Sequence, residues 1–125
     1  MNVVDSSAWL EYIADSPLAS EFAPAIENFE QLVVPSITLY EVNKRLLVQH
    51  RDSVAADAME LMQEGRVIDL NSSIAIEASR QAKTNGLSLA DSIIYATATL
   101  FSATLWTTDK HFKDLPNVEY REKRS

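Results

Sequence analysis

Short runs of β-branched and aliphatic residues alternate with longer segments of helical periodicity along the whole chain. The apolar runs predict strands at 2–4, 31–34, 66–70 and 104–107, with an edge-strand candidate at 117–120. Helices are predicted between them, at 7–14, 16–26, 37–49, 52–64, 71–83 and 88–102. Because parallel strands need crossover connections that helices supply, this order predicts an α/β fold whose mainly parallel sheet has four to five strands.

The spacing of apolar residues also predicts which side chains are buried. In the segment 37–49 we expect Tyr40, Leu46 and Leu47 to contact the core, and both tryptophans, Trp9 and Trp106, to be core residues. Gly65 and the Asn85-Gly86 pair are predicted to end the helices that precede them.

Composition limits the class of protein. A chain of 125 residues that is 46% hydrophobic predicts one domain over 1–125, with residues 121–125 as a frayed tail. The absence of cysteine excludes disulfides and thiolate-bound metals. A net charge of −7 argues against extended binding of duplex DNA by this chain alone. No apolar run suits a signal peptide or a membrane span, so the expected location is cytoplasmic, without membrane contact.

Four acidic residues stand at corresponding places in the predicted elements. Asp5 closes the first strand and Asp109 follows the fourth, whereas Glu41 and Asp91 are expected in the first turns of two helices. In a parallel sheet, the carboxyl ends of strands and the helices that leave them share one edge, where ligands bind. The sequence therefore predicts that the four carboxylates converge there.

Each acid taken alone has a simpler explanation. Asp5 and Asp109 are suited to cap the helical turns that follow them, and Thr38…Glu41 and Ser88…Asp91 resemble capping boxes. Glu41 could also pair with Lys44 or Arg45 along its own helix. Helix capping therefore stays open for every one of the four.

Four converging carboxylates would repel one another strongly. Two of them 4–5 Å apart repel by roughly 3–4 kcal/mol at an effective dielectric constant near 20. Either some are protonated or a cation joins them, and an all-oxygen ligand set suits Mg²⁺ or Mn²⁺. Such an ion can bind a phosphodiester oxygen and activate water. With no GxSxG motif and no glycine-rich phosphate loop, metal-assisted phosphodiester hydrolysis is the reaction class that these residues favour.

Four sequence blocks resemble the PIN-domain ribonucleases, and among them the VapC-type toxins of toxin–antitoxin modules. The resemblance runs from Val3 to Phe112 through VVDSS at 3–7, PSITLYEV at 35–42, LSLADSIIYATA at 87–98 and LWTTDKHF at 105–112. It implies a three-layer PIN-like fold, and endoribonuclease activity as the toxin of a type II module. The implied metal ligands and catalytic residues are Asp5, Glu41, Asp91 and Asp109, with Asp5 and Asp91 as the principal ligands of Mg²⁺ or Mn²⁺.

The resemblance implies further residues and partners. Ser6 and Thr107 match hydroxyl positions that orient a carboxylate or phosphate, and the candidate RNA contacts are Lys44, Arg45 and Lys110. His111 is expected to be a surface histidine, although its position would let it reach the substrate. The implied partners are an RNA substrate, a second copy in a homodimer and a cognate antitoxin. Groove candidates for the antitoxin, or alternatively plain core residues, are Trp9, Tyr12, Ile13, Leu18, Phe22 and the face of 54–62.

Two other functions stay open at this point. A non-catalytic Mg²⁺-binding regulatory domain, such as a phospho-acceptor receiver, also gathers acids at strand ends, although serines rather than a second acid follow Asp5 here. A PIN fold that serves only as an inactive binding module is the other alternative. Metal-dependent cleavage of RNA would exclude both.

Overall fold

A computed structural model describes residues 1–123, in which one parallel sheet is covered by helices on both faces. The strands of this part of the chain are β1 (Asn2–Val4), β2 (Leu32–Pro35), β3 (Arg66–Ile68), β4 (Thr104–Thr107) and β5 (Val118–Tyr120). Their order is β3-β2-β1-β4-β5, and every neighbouring pair is parallel. The predicted α/β fold with a mainly parallel sheet is therefore confirmed, and the edge-strand candidate forms β5.

Helices connect the strands, as parallel pairing requires. They are α1 (Ser6–Ile13), α2 (Ala19–Ile26), α3 (Ser36–Val48), α4 (Asp52–Met62), α5 (Ser72–Asn85) and α6 (Leu89–Leu100). Two short 3₁₀ turns, Phe29–Gln31 and Lys110–Phe112, precede β2 and follow β4. For the majority of helix and strand ends, the predicted boundary differs from the observed one by one to three residues.

The alternation of side chains along the strands divides the core into two layers. Val4 packs with Trp9 and Phe22 under α1 and α2, together with residues of α3 and α4. Val3 faces the opposite way and packs with Ile94 of α6 and Phe112. The sheet with helices on both sides is thus a three-layer arrangement. Trp9 and Phe22 are fully buried, so they are core residues.

Local signals explain where the helices begin and end. The Asn71 side chain accepts a hydrogen bond from the Ile74 N–H at the start of α5, and Gly86 ends that helix with a left-handed φ of 66°. Ser88 caps α6 by accepting from the Asp91 N–H. The helix α3 starts directly after Pro35, and the buried Thr38 hydroxyl donates to the Pro35 carbonyl at 2.7 Å.

Three predictions of burial on α3 have different outcomes. Leu46 is buried as predicted, but Tyr40 is 62% exposed and Leu47 is 45% exposed, so those two predictions are wrong. The buried residues of α3 are Thr38, Val42 and Leu46, which recur at every fourth position. They form a narrow stripe against the core, and the other faces of the helix are partly or fully exposed to solvent. Trp106, predicted as core, is half-buried and donates from Nε1 to the Asn2 side chain.

The predicted frayed tail is wrong for Arg121. Its backbone N–H donates to the Thr107 carbonyl, and its guanidinium pairs with Glu21 and Glu119. These contacts hold the chain beside the end of β4. Residues 124 and 125 of the predicted tail lie outside the described residues. Within residues 1–123, no helix combines the length and apolar character that crossing a bilayer requires.

The surroundings of the two glycines differ, so substitution by alanine is expected to have different effects on stability. Gly65 lacks a left-handed φ, but a Cβ there would lie 3.0 Å from side-chain atoms of Leu32 and Val34 in the core. We expect Gly65→Ala to lower the free energy of unfolding by about 1–3 kcal/mol through overpacking. Gly86→Ala meets no atom within 4 Å and costs only the left-handed backbone, about 1 kcal/mol. Urea denaturation of the two variants measures both, and a larger loss in Gly86→Ala than in Gly65→Ala would contradict this account.

Candidate active site

The four predicted acids line one cleft at the carboxyl edge of the sheet. The cleft measures about 730 Å³, and its lining includes Asp5, Glu41, Asp91 and Asp109. Asp5 follows β1 and Asp109 follows β4, which is paired with β1, whereas Asp91 lies in the first turn of α6. Glu41 is the sixth residue of α3, so it lies in the second turn and not in the first as predicted. The fold therefore brings all four acids to the same cleft.

Asp5 is the most buried of the four, at 4% exposed. Its Oδ2 accepts hydrogen bonds from the Ser7 hydroxyl at 2.7 Å and the Thr107 hydroxyl at 2.8 Å. Those hydroxyls accept in turn from backbone N–H groups, Ser7 from Thr108 and Thr107 from Asp109. Among the described residues Oδ1 of Asp5 receives no hydrogen bond, which leaves it free for a ligand in the cleft. Sequence reasoning identified Thr107 but missed Ser7, whose only signal was its place in the VVDSS block.

Capping explains two of the acids in part and two not at all. The Asp5 side chain makes no capping hydrogen bond to α1. Glu41 belongs to no capping box, because α3 begins at Ser36, and its Oε1 accepts instead from the Ser6 hydroxyl. By contrast, the Asp109 side chain caps its 3₁₀ turn through the His111 N–H, and the Asp91 N–H donates to Ser88.

Asp91 and Asp109 come together with a third side chain that was predicted to be an ordinary surface residue. Nδ1 of His111 lies 3.0 Å from Oδ1 of Asp109 and 3.7 Å from Oδ2 of Asp91. One ligand atom from each of the three residues lies within 4.8 Å of the other two. The histidine is 77% exposed in its side chain, so the surface prediction is correct, but its ring also reaches the acids.

Burial and mutual repulsion shift the titration of the acids. The pKa of Asp5 is raised to about 6, chiefly by burial. Its hydrogen bonds from Ser7 and Thr107 lower the pKa in part, and the charges of Asp91 and Glu41 add smaller increases. Burial also raises the pKa of Asp91, with the neighbouring charge of Asp109 as the next cause. At neutral pH the cleft thus holds ionised carboxylates at a cost in free energy, which a bound cation would offset.

Basic side chains surround the acids. The cleft is lined by two of the predicted RNA contacts, Lys44 and Arg45, and also by Arg51 and Lys123. Nζ of Lys123 lies 3.6 Å from Oε1 of Glu11, a fifth carboxylate of the lining. Lys110 is exposed on the 3₁₀ turn and does not line the cleft, so the geometry gives no support to its predicted contact.

A second concavity lies between α1, α2 and α4. It measures about 560 Å³, and its walls include Tyr12, Ala23, Val54 and Leu61. Asp15, Glu27 and Asp57 also line it and give it an acidic rim. Of the predicted groove residues, Tyr12, Ile13 and the α4 face line this groove. Trp9 and Phe22 are core, and Leu18 is half-buried outside the lining.

The donor set fits a hard divalent cation. Carboxylate oxygens predominate in the cleft, and the chain contains no cysteine that would draw a softer metal. Oδ1 of Asp5 and the closely spaced ligand atoms of Asp91, Asp109 and His111 are the groups that would coordinate such an ion. Mg²⁺ and Mn²⁺ both match this chemistry.

Comparisons with known proteins agree on the fold. The PIN domain family matches residues 3–118. A toxin–antitoxin complex from Klebsiella pneumoniae contains a chain that is 24% identical, with a TM-score of 0.81 over 98% of this chain and 100% of that one. VapC20 from Mycobacterium tuberculosis, described as a toxin that cleaves the sarcin–ricin loop, is 16% identical with a TM-score of 0.78 over 97% and 99%.

A third solved structure with this fold is a complex with DNA. It is DNA-bound VapBC from Salmonella typhimurium, 17% identical with a TM-score of 0.75 over 97% of this chain and 96% of that one. No match is found among curated proteins.

The raised pKa of Asp5 predicts how stability of the metal-free protein depends on pH. The folded state holds this proton up to about pH 6, whereas the unfolded chain releases it near 3.8, so stability falls as pH rises between these values. The shift corresponds to about 3 kcal/mol. We therefore expect Asp5→Asn to raise the free energy of unfolding at pH 7 in EDTA and to change it little at pH 4.

Urea denaturation at the two pH values measures this effect, with Asp69→Asn, an exposed acid outside the cleft, as the control. Excess Mn²⁺ should reverse the order of the two proteins at pH 7, because only the wild type gains binding energy in the folded state. A less stable Asp5→Asn variant in EDTA at pH 7 would contradict the assignment.

Proposed function

The chain belongs to the PIN domain family, and we propose that it is a metal-dependent endoribonuclease that acts as the toxin of a type II toxin–antitoxin pair. PIN domains are generally nucleases and typically use divalent metals. The observation that carries the proposal is the convergence of Asp5, Glu41, Asp91 and Asp109 on one cleft, with Asp5 buried and held by two hydroxyls. RNA as the substrate, Mg²⁺ or Mn²⁺ as the ion, a homodimer and a cytoplasmic location complete the proposal.

In this proposal the surroundings of each acid determine its role. Asp5 is oriented by Ser7 and Thr107, and with Asp91 it is the principal metal ligand. Glu41, oriented by Ser6, and Asp109 would hold water molecules or a second ion, or help to activate the attacking water. A bound divalent ion supplies activation of that water and stabilisation of the leaving oxygen. Because the side chains are already hydrogen-bonded in place, little reorganisation accompanies substrate binding.

RNA would approach the acids past the basic side chains of the lining. Lys44 and Arg45 lie one turn beyond Glu41 on α3 and suit phosphate contacts that position the backbone over the acids. Tyr40, exposed on the same helix with Nζ of Lys44 5.7 Å from its ring centroid, offers a face on which a base could stack. These contacts fit a flexible single strand better than a duplex, because the net charge of the chain is negative.

The two alternatives are less well supported. The family match argues against a receiver domain, and no acidic pair follows β1. An inactive PIN module would have no need for an intact set of four acids with hydroxyl partners. An assay of RNA cleavage distinguishes the inactive module from the proposed nuclease.

Cleavage of RNA should require both the metal and the principal ligands. With Mn²⁺ or Mg²⁺ we expect the purified protein to cut single-stranded RNA, and EDTA to abolish the reaction. Asp5→Asn and Asp91→Asn should each reduce the rate by at least about 100-fold, because each removes a charge that holds the ion. Asp69→Asn should cut at the wild-type rate. Full activity in EDTA or in either site variant would reject the mechanism.

The groove between α1, α2 and α4 is the site at which we expect the antitoxin to dock. Its apolar walls and the acidic rim of Asp15, Glu27 and Asp57 suit an amphipathic segment with basic flanks. Ile13 lines both this groove and the cleft, so a bound segment is close enough to extend toward the acids. The solved VapBC complexes with the same fold support the existence of such a partner, which we expect from a small reading frame beside this gene.

A bulky side chain in the groove should separate antitoxin binding from catalysis. Ser20 is exposed and lines the groove, so Ser20→Trp should weaken the complex with the antitoxin at least 10-fold. RNA cleavage should stay within two-fold, because Ser20 does not line the cleft. The matched control is Ser73→Trp on the exposed face of α5. Unchanged affinity in Ser20→Trp, measured by calorimetry, would place the antitoxin elsewhere.

A further inference from the structure

The imidazole of His111 approaches the acids without being packed against them. Its side chain is 77% exposed, so surrounding residues do not confine it, yet Nδ1 lies 3.0 Å from Asp109 and 3.7 Å from Asp91. The 3₁₀ turn that begins at Lys110 brings the backbone N–H of His111 to the same Oδ1 of Asp109. The turn therefore fixes the backbone of His111 beside Asp109, and both carboxylates lie within 4 Å of Nδ1.

The spacing of these atoms is that of ligands around one ion. Neighbouring ligands of an octahedral ion bound at about 2.1 Å lie about 3 Å apart. The separations of 3.0 Å and 3.7 Å fall at and slightly above this value, and all three ligand atoms lie within 4.8 Å of one another. Nδ1 of His111 therefore already lies beside both carboxylates that would hold the ion.

We propose that Nδ1 of His111 is a metal ligand alongside Asp91 and Asp109, and that it makes the site select Mn²⁺ over Mg²⁺. This inference rests on the proposed function, because it concerns the metal centre of the same cleft. Mg²⁺ prefers oxygen ligands and retains its waters, whereas imidazole nitrogen binds the transition metals well. One nitrogen in an otherwise carboxylate site therefore strengthens binding of Mn²⁺ while leaving Mg²⁺ almost unaffected.

Coordination through Nδ1 also requires one tautomer of the imidazole. The ligating nitrogen must be unprotonated, so Nδ1 gives its lone pair to the ion and Nε2 carries the hydrogen toward solvent. Without an ion, Nδ1 can donate its proton to Asp109 across the same 3.0 Å. The exposed position of Nε2 leaves it free to hydrogen-bond with water in either state.

The test compares two histidines in otherwise identical protein. His111→Asn removes the proposed ligand, and His50→Asn is the matched control, because His50 is exposed, does not line the cleft, and has a φ of 58° that asparagine tolerates. Calorimetric titration of the metal-free proteins with MnCl₂ and MgCl₂ should show Mn²⁺ affinity lowered on the order of 10-fold in His111→Asn. Its Mg²⁺ affinity should change less than three-fold, and His50→Asn should match the wild type for both ions.

A spectroscopic measurement identifies the ligand directly. Electron spin-echo envelope modulation of the Mn²⁺ form should show coupling to a coordinated nitrogen-14 in the wild type and in His50→Asn, and no such coupling in His111→Asn. Absence of that coupling in the wild type overturns the inference. Equal weakening of Mn²⁺ and Mg²⁺ in His111→Asn also overturns it, because that result indicates a structural or electrostatic role.

These failures are separable from failure of the proposed function. If RNA cleavage remains metal-dependent while the nitrogen coupling is absent, the nuclease stands and the role of His111 is rejected. If the wild type binds neither ion and does not cut RNA, the nuclease proposal fails and the inference falls with it.

Discussion

A carboxylate buried at the end of the central strand is the constraint on which the rest of the site depends. Asp5 follows β1, between the two core layers, and is 4% exposed. Burial disfavours its charge, as its raised pKa records. Two hydroxyl donors reduce that cost without removing it, and both bind the same oxygen. The other oxygen receives no hydrogen bond among the described residues, and a cation bound there would further favour the ionised form of Asp5 at neutral pH.

The hydroxyls that hold Asp5 also connect the site to the sheet. Ser7 and Thr107 each accept a hydrogen bond from the backbone that follows β4 while donating to Asp5. The parallel pairing of β1 with β4 sets the distance between these segments. The register of the sheet therefore determines the position of Asp5 relative to Asp109. Site geometry and fold stability therefore depend on the same two strands.

The convergence of the acids could be predicted from sequence because it follows from topology: strand ends and helix starts in a parallel sheet share one edge. Details of register could not. The start of α3 at Ser36 places Glu41 in the second turn. Tyr40 and Leu47 are exposed because the helix packs on the core through Thr38, Val42 and Leu46, and tertiary packing decides which stripe of a helix faces inward. The contacts of Ser7 and His111 with the acids were missed for a different reason. These contacts, with Asp5, Asp91 and Asp109, depend on side-chain directions, which arise only when the segments pack.

The charge around the cleft restricts how a substrate can bind. Five carboxylates line it with four basic side chains, Lys44, Arg45, Arg51 and Lys123, and Lys123 is already paired with Glu11. Three unpaired cations cannot hold a long polyanion against a net charge of −7. A nucleic-acid substrate would therefore contact the cleft over a short stretch only, with a bound metal ion neutralising the phosphate at the acids. Affinity and catalysis would then depend on the same ion, so the metal-free protein would bind such a substrate weakly as well as fail to cleave it.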